Sequence, residues 1–340
     1  MRDFSIKKAL TLRASSIGDT LMGKYFLENI HAAFPAAKLT LLVGSRASMI
    51  RELFAAYPWL TIVEVNRHHP ANVVAAWREF RGQDLTLTQY AENPFSLPSK
   101  LFARLVTKRG GLIGFDDHFG GNKFLYDRIL PFAGEEKSGG MMLEEQKALA
   151  AAGIPISVPN LRLSYIEDLE TPARFGLEAK KYSIAHLFSG SEGRSISQQK
   201  RIAIVKALRD ALPSGHLLVL TGVANEYERA QESAGDRYGI INLTGKTTLQ
   251  ELINLLAQAR GVLALDSGAA HITAHIDTPL VVLTRTKALR GWWSRAMYGG
   301  RPTVLTNSAA DDRGPRDGFY PPSLETIELS QIVGRVATFF

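Results

Sequence analysis

Short apolar runs of strand length alternate with stretches of helical periodicity along most of the chain, in two successive series. The first series begins with a strand at Ala9 to Arg13 and a helix at Thr20 to Phe34, and it continues to a strand at 84–88. The second series begins with a strand at Tyr182 to Phe188 and ends with a strand at Leu280 to Leu283. This alternation predicts an α/β protein with parallel sheets covered by helices on both faces.

The segment between the two series marks a connection between two domains. Residues 155–180 contain three prolines and mixed charges, which is typical of a linker. We therefore predict a first domain over residues 1–165 and a second over 180–323. The 340 residues are enough for two domains of roughly 150 residues each.

The composition excludes several classes of function. The chain has no cysteine, so disulfides, thiolate metal sites and cysteine nucleophiles are excluded. It has no apolar run of about 18 residues, and residues 1–12 do not resemble a signal peptide, so we expect a cytoplasmic protein without a membrane span. The formal net charge of +7 permits an anionic partner. Nothing beyond this charge indicates a nucleic acid, and we expect none.

Residues 261–283 predict a strand, a tight turn, a helix and a second strand. The turn Asp266-Ser267-Gly268 follows the apolar run Val262 to Leu265. Such a turn presents backbone N–H groups at the positive end of a helix, which suits a phosphate. Ser267 could add a hydroxyl donor, and His271 lies about one turn into the helix. The alternative is an ordinary strand-to-helix turn in which Asp266 or Ser267 caps the helix.

Two further polar turns follow strands. Ser15-Ser16-Ile17-Gly18-Asp19 follows the first strand of the chain, and residues 189–194 follow the first strand of the second series. Ligands of open parallel sheets bind at the carboxyl edge of the strands. We therefore expect a small-molecule site in a cleft between the two domains.

A basic and apolar stretch lies in the first domain, within residues 95–109. Its four cations are interleaved with apolar residues at helical spacing, a pattern that can lie on an anionic membrane surface. The alternative is a surface helix with a solvated charged side. The cations are Lys100, Arg104, Lys108 and Arg109.

Four segments resemble one enzyme family: LRASSIGDTL (12–21), FSGSEGRSIS (188–197), TGVANEYE (221–228) and LDSGAAHITAHIDTPLVVL (265–283). Together they resemble the heptosyltransferases, glycosyltransferase family 9. The resemblance implies the GT-B glycosyltransferase fold, with two facing Rossmann-like domains and a cleft between them. It further implies inverting transfer from a nucleotide sugar without a metal or other cofactor, and a terminal helix, residues 324–340, that packs back on the first domain.

The resemblance also implies roles for residues of the first domain. Asp19 resembles the general base of the family, and the chemistry supports a carboxylate that takes the proton of the attacking hydroxyl. The alternative is that Asp19 caps the helix starting at Thr20. Ser15, Ser16 and Gly18 are the implied contacts to sugar or acceptor.

In the second domain the resemblance implies a donor site. Ser267, Gly268 and His271 resemble the diphosphate site, with Asp266 in a hydrogen-bonding role and Thr286 near the donor. Glu226 resembles the residue that accepts hydrogen bonds from the ribose; its alternative is an exposed glutamate at a helix N-terminus. Arg194 stands where the family usually has a lysine that neutralises the leaving phosphate. Lys200 or Arg201 carries that role if the alignment is shifted.

We therefore expect an inverting, metal-independent glycosyltransferase. The resemblance implies ADP-heptose as donor and an anionic glycolipid of the lipopolysaccharide core as acceptor, reached by peripheral contact with the inner face of the inner membrane. One alternative is a sugar-nucleotide epimerase of the same fold, which needs several acid/base residues where Asp19 is the one strong candidate of the first domain. Another is a non-catalytic nucleotide-sugar-binding protein, which loss of Asp19 would have favoured.

Overall fold

The computed structural model describes residues 5–13, 16–66, 69–88, 97–131, 140–159, 161–190, 192–285, 292–293, 295–298, 300–307 and 324–339. The chain divides into two compact units, Met1–Leu161 and Arg162–Phe340. The division lies a few residues before the predicted end of the first domain at residue 165. Each unit contains one six-stranded sheet, and all described strand pairs are parallel.

The sheet of the first unit has the strand order β3-β2-β1-β4-β5-β6. Its central strand β1 pairs with β2 on one side and with β4 on the other. The strands are β1 Lys8–Arg13, β2 Lys38–Val43, β3 Leu60–Glu64, β4 Leu85–Leu87, β5 Leu112–Phe115 and β6 Arg128–Leu130.

The helices described beside this sheet are α1 Ile17–Ala33, α2 Ala47–Leu53, α3 Pro70–Phe80, α4 Leu97–Val106, α5 Asn122–Leu125 and α6 Gly140–Ala152. The longest, α1, is buried along much of its length and packs against both β1 and α6. The buried Asn29 side chain of α1 fixes the end of the unit, because its Oδ1 accepts the backbone N–H groups of Ser157 and Val158 at 2.7 and 2.9 Å.

The sheet of the second unit has the order β12-β11-β10-β7-β8-β9, which repeats the pattern of the first. The alternation in the sequence is thus confirmed as two Rossmann-like sheets. The strands are β7 Tyr182–His186, β8 Leu217–Leu220, β9 Ile240–Asn242, β10 Val262–Leu265, β11 Leu280–Thr284 and β12 Thr303–Thr306. The helices are α7 Thr171–Arg174, α8 Gln198–Ala211, α9 Tyr227–Ala234, α10 Leu249–Gln258, α11 Gly268–His275, α12 Arg295–Tyr298 and α13 Leu329–Val336.

The terminal helix α13 belongs to the second unit. It packs against α8, and its buried side chains Ile332 and Val336 lie in the same apolar cluster as Ile204 and Leu208 of α8. The apolar face of this short amphipathic helix is thus buried in the core of its own unit. Packing of residues 324–340 on the first domain stays a prediction.

Candidate active site

In each sheet the strand order reverses at one place, between β1 and β4 in the first unit and between β7 and β10 in the second. Ligands of open parallel sheets bind outside the carboxyl ends of the strands at such a switch point. The turn into α1 follows β1, the loop that carries Arg194 follows β7, and the turn at residues 266–267 follows β10. The predicted segments therefore lie at the switch points of their own sheets.

Asp19 lies in the first turn of α1 rather than at its cap. The helix begins at Ile17, and Ser16 is the N-cap, whose Oγ accepts a hydrogen bond from the Asp19 backbone N–H at 3.2 Å. The Ser16 hydroxyl also donates to Asp19 Oδ2 at 2.6 Å. The alternative that Asp19 caps a helix starting at Thr20 is therefore wrong. The partly exposed carboxylate is held at the positive end of a helix, where a hydroxyl could transfer a proton to it.

The other residues predicted at this turn differ in their placement. Ser16 is exposed and Gly18 is buried in the first turn of α1. Ser15 lies outside the described residues.

Asp266 is the centre of the site in the second unit. Its side chain is 4% exposed, and it accepts hydrogen bonds from Thr284 Oγ1 at 3.0 Å and from Trp293 Nε1 at 3.1 Å. Arg194 Nη1 lies 3.6 Å from Oδ2 of this carboxylate, and His271 Nε2 lies 3.5 Å from Oδ1. Four side chains thus converge on one buried carboxylate, which fixes their positions relative to β10.

These neighbours also determine the ionisation of Asp266. Burial by itself would raise the pKa of this carboxyl. The hydrogen bond and charge of His271, the charge of Arg194 and the Trp293 N–H favour the ionised form and lower the pKa to about 2. The residue is therefore a carboxylate at neutral pH, committed to side chains of the protein.

The ring of His271 is held on several sides. It stacks on Trp293 with a centroid distance of 4.5 Å and an interplanar angle of 12°, and its Nδ1 lies 3.4 Å from the Tyr298 hydroxyl. Trp292 meets the ring edge-on at 6.0 Å. His271 is 5% exposed, so its orientation is set before any ligand arrives.

Ser267 and Gly268 form the start of α11. Ser267 is the N-cap, and its Oγ accepts the backbone N–H of Ala270 at 3.5 Å, so the capping alternative is confirmed for this residue. Gly268 is the first residue of the helix. The first backbone N–H groups of a helix have no intrahelical acceptor, and they form an anion site together with the helix dipole. Capping by Ser267 and phosphate binding at this turn are therefore compatible.

The structure separates Arg194 from the two cations that follow it. Arg194 is 41% exposed at its side chain and lies beside Asp266. Lys200 donates from Nζ to the Glu325 carbonyl at 3.2 Å. Arg201 is buried, donates to the Leu187 carbonyl at 3.1 Å and stacks at 4.4 Å on the Phe188 ring. Of these three cations, Arg194 is the one for which the described residues show a contact to Asp266.

Glu226 ends a short 3₁₀ turn, Ala224–Glu226, immediately before α9. Its Oε2 accepts the Val223 backbone N–H at 2.8 Å. Burial raises the pKa of this carboxyl, and the Val223 bond and the nearby arginines oppose that rise. Glu226 stands at the N-terminus of α9, as the alternative has it, but its side chain is half-buried rather than exposed. Its contact to a ribose remains a prediction.

The basic stretch is not the exposed four-cation patch that the sequence predicts. Lys100 is 1% exposed and makes an ion pair with Asp117 at 2.6 Å and a hydrogen bond to Asn122 Oδ1 at 2.8 Å. Arg104 is 21% exposed and pairs with Asp127 at 2.8 Å. Both form ion pairs with carboxylates that follow β5 and α5 along the chain. Lys108 is exposed but also pairs with Asp84, and Arg109 is exposed.

Three residues that contact Asp266 or His271 could not be recognised in the sequence: Thr284, Trp293 and Tyr298. Thr284 ends β11 beside β10, a position that strand pairing alone would have indicated. Trp293 and Tyr298 lie in a part of the sequence that has no helical or strand periodicity, so the aromatic residues themselves are its one signal. Thr286, a predicted donor contact, lies outside the described residues.

Neither a cluster of metal ligands nor a membrane-spanning helix occurs within the described residues. No group of three or more His, Asp or Glu side chains in those ranges could hold a metal ion. No helix within the same ranges is both long and apolar enough to cross a bilayer.

Lowering the pH is expected to remove the stabilisation that Asp266 supplies. The pKa is about 2 in the folded protein and 3.8 ordinarily, so the carboxylate stabilises the fold above pH 4 and the effect is lost as the pH falls toward 2. The free energy of unfolding should therefore differ between wild type and Asp266→Asn by about 1 kcal/mol less at pH 3 than at pH 6. Urea denaturation of both proteins at both pH values measures this difference in unfolding free energy. A difference that is the same at pH 3 and pH 6 would contradict the lowered pKa of Asp266.

Comparisons with known proteins identify the family of the chain. The model of Glycosyltransferase family 9 (heptosyltransferase) matches residues 104–296, more than half of the chain. Lipopolysaccharide heptosyltransferase 2 of Escherichia coli (strain K12) is 23% identical over 295 residues, which cover 81% of this chain and 82% of that protein. Lipooligosaccharide heptosyltransferase 2 of Haemophilus influenzae is 23% identical over 298 residues, with coverage of 81% and 82%.

Solved structures share the fold over nearly the whole chain. A glycosyl transferase family 9 structure from Veillonella parvula superposes with a TM-score of 0.74 at 17% identity, covering 98% of this chain and 97% of that one. The Escherichia coli ADP-heptose lps heptosyltransferase II superposes with a TM-score of 0.71 at 17% identity, covering 98% of each chain. The two sheets thus have the GT-B fold, and the chain belongs to glycosyltransferase family 9, the heptosyltransferases, and is a glycosyltransferase.

Proposed function

We propose that the protein transfers a heptose from ADP-heptose to an acceptor of the lipopolysaccharide core, with inversion at the anomeric carbon. The relatives named as lipopolysaccharide and lipooligosaccharide heptosyltransferases support this substrate class. The observation that carries the proposal is the placement of Arg194 beside Asp266 at the start of α11. A fixed cation and a helix N-terminus at one switch point suit a nucleotide diphosphate.

The reaction requires one proton acceptor and one site for developing charge. The acceptor hydroxyl attacks the anomeric carbon, the new glycosidic C–O bond forms, and the bond to the diphosphate breaks with its electron pair remaining on the diphosphate oxygen. Asp19 takes the hydroxyl proton, a step that typically contributes about 10²–10⁴ in rate. Arg194 and the first-turn N–H groups of α11 stabilise the leaving ADP.

Each remaining residue of the site has a proposed part in this reaction. Gly268 and His271 contact the diphosphate together with Ser267, and Glu226 accepts hydrogen bonds from the ribose. Asp266 does not face the phosphate, because a bare carboxylate would repel it; instead it holds Arg194 and His271 in position. In the first unit Ser16 and Gly18 contact sugar or acceptor. Two residues outside the described ranges are also part of the proposal: Ser15 contacts the acceptor, and Thr286 contacts the donor.

We place the reaction on the cytoplasmic side of the inner membrane. The acceptor of such a transfer is an anionic glycolipid, so the enzyme must reach a membrane surface. No cofactor takes part in the proposed reaction.

A donor screen tests the proposed function. The protein is incubated with ADP-heptose and with GDP-, UDP- and CMP-sugars, each with a lipopolysaccharide core acceptor, and the released nucleotide is measured. We expect ADP release from ADP-heptose that depends on the acceptor. Preferential release of another nucleotide would contradict the proposed donor.

Chelation is expected to leave the activity unchanged. In the proposed reaction Arg194 and the α11 N-terminus meet the charge of the leaving diphosphate, a task that a divalent ion performs in metal-dependent transferases. Full turnover in excess EDTA is therefore the expected result. Loss of turnover that added Mg²⁺ or Mn²⁺ restores would show that a metal carries this charge instead.

A further inference from the structure

The helix α4 has leucines on the face that it turns away from the protein. Its inner face buries Phe102 and Val106 in the core of the first unit. Its outer face carries Leu97, Leu101 and Leu105, which are 45%, 45% and 66% exposed. Spacings of four residues place these three side chains in one row, here called the leucine ridge. A helix that is apolar on both faces is typical of a fully buried position, yet one face of α4 is open.

The two helices that contact α4 also expose apolar side chains. The helix α3 packs beside α4, and its Val74 and Trp77 are 44% and 37% exposed. The helix α5 is joined to α4 through the buried Lys100–Asn122 hydrogen bond, and its Phe124 is 79% exposed. Single exposed apolar residues are ordinary on protein surfaces, whereas three leucines in one row on a helix face mark an interaction site.

Cations lie at the border of the leucine ridge. Lys108 and Arg109 follow the last turn of α4 and are exposed, although Lys108 also pairs with Asp84. Lys123 of α5 is exposed and lies 5.0 Å from the centroid of the Phe124 ring. Apolar side chains bordered by lysine and arginine complement a bilayer that contains anionic lipids, because the apolar row enters the headgroup region while the cations remain with the phosphates.

We propose that the leucine ridge is the surface by which the enzyme docks on an anionic lipid bilayer. The inference deepens the proposed function, since a glycolipid acceptor resides in such a bilayer. It replaces the four-cation patch expected from the sequence, in which Lys100 is buried, Arg104 is 21% exposed, and each forms an ion pair. Lys108 pairs with Asp84 but stays exposed at the surface. Binding is shallow and reversible, with side chains rather than a whole helix entering the lipid.

A second copy of the chain fits this surface less well. A ten-residue helix is about 15 Å long, and one row of three half-exposed leucines on it falls well short of the roughly 800 Å² per partner that a standard interface buries. An anionic bilayer needs no such area, because charge and insertion add together at its surface.

Co-sedimentation with vesicles tests the leucine ridge. Wild type is expected to bind vesicles of phosphatidylglycerol and phosphatidylcholine more tightly than vesicles of phosphatidylcholine alone. The double variant Leu101→Gln/Leu105→Gln should bind the anionic vesicles at least about tenfold more weakly. The matched control is Ile166→Gln/Leu169→Gln, whose residues are 55% and 65% exposed in the second unit and should leave binding unchanged. If the double variant unfolds, Leu105→Gln alone replaces it, with a smaller loss in the same direction.

Three results would overturn the proposal. The first is equal vesicle binding by wild type and the Leu101/Leu105 variant. The second is complete release of wild type from the vesicles by 1 M salt. The third is a wild type that binds no vesicles but forms a dimer, together with a Leu101/Leu105 variant that is a monomer. Complete release would mean that charge alone carries the contact, because salt screens charges and strengthens apolar burial. The assay contains neither donor nor acceptor, so its failure leaves the transfer reaction standing, and a failed donor screen leaves the vesicle result standing.

Discussion

Replacing Asp19 with asparagine is expected to slow sugar transfer at least about 100-fold, with the fold and nucleotide-sugar binding retained. Asparagine preserves the size of the side chain and an oxygen that can accept the Ser16 hydroxyl, which lies 2.6 Å from Asp19 Oδ2. It cannot take up the proton of the attacking hydroxyl. The loss should therefore appear in kcat, while the Kd for the donor stays near its wild-type value.

The control for this prediction is Thr248→Ala, which removes the N-cap of α10, a helix that carries none of the proposed site residues. We expect it to lower the free energy of unfolding by about 1 kcal/mol. Its effect on transfer should be much smaller than that of Asp19→Asn. Wild-type turnover in Asp19→Asn would contradict the role of Asp19 as general base and leave it a residue of the first helical turn.

Replacing Arg194 with glutamine is expected to lower kcat by about 10²–10³-fold, the range found when one charge-stabilising group is removed from a reaction centre. The guanidinium lies 3.6 Å from Asp266, and the Arg194 side chain is 41% exposed, so part of it is open to a ligand. The charge on the leaving group develops in the transition state, so kcat should fall more than donor affinity.

Lys200→Gln is the matched control for Arg194→Gln, because Lys200 lies nearby in the sequence and its Nζ donates to the Glu325 carbonyl at 3.2 Å. We expect its turnover to stay close to that of wild type. The variant Arg194→Lys keeps the positive charge and should recover part of the activity. A large loss in Lys200→Gln together with normal turnover in Arg194→Gln would reassign the phosphate-neutralising cation.

Local patterns in the sequence predict nine of the twelve described strands in the two sheets, β1 to β4 and β7 to β11. The spacing of apolar residues marks each of these, and β10, with all four residues buried, is an example. The strands β5, β6 and β12 lie outside the two predicted series. The boundary of α1 is harder, because Ser16 and Asp19 are both capping residue types three positions apart. Only the observed bond from the Asp19 N–H to Ser16 Oγ decides between them.

Contacts between distant residues account for what the sequence misses. Lys100 has the spacing of a surface cation, but its partners Asp117 and Asn122 come from a later loop and helix that periodicity cannot connect to α4. Trp293 donates a hydrogen bond to Asp266 from a part of the sequence without periodicity, so no repeat or motif marks it. The candidate site is thus predictable where it lies on turns after strands, and unpredictable where tertiary packing brings in side chains from elsewhere.

The transfer of one heptose to the acceptor is the most direct test of the proposed reaction. The purified full-length protein is incubated with ADP-heptose and a heptose-deficient lipopolysaccharide core acceptor, and both products are followed by mass spectrometry. We predict an acceptor that gains the mass of one heptose, with one ADP released per sugar transferred. An unchanged acceptor accompanied by an isomerised or an unaltered nucleotide sugar would contradict transfer and favour an epimerase or a binding protein of the same fold.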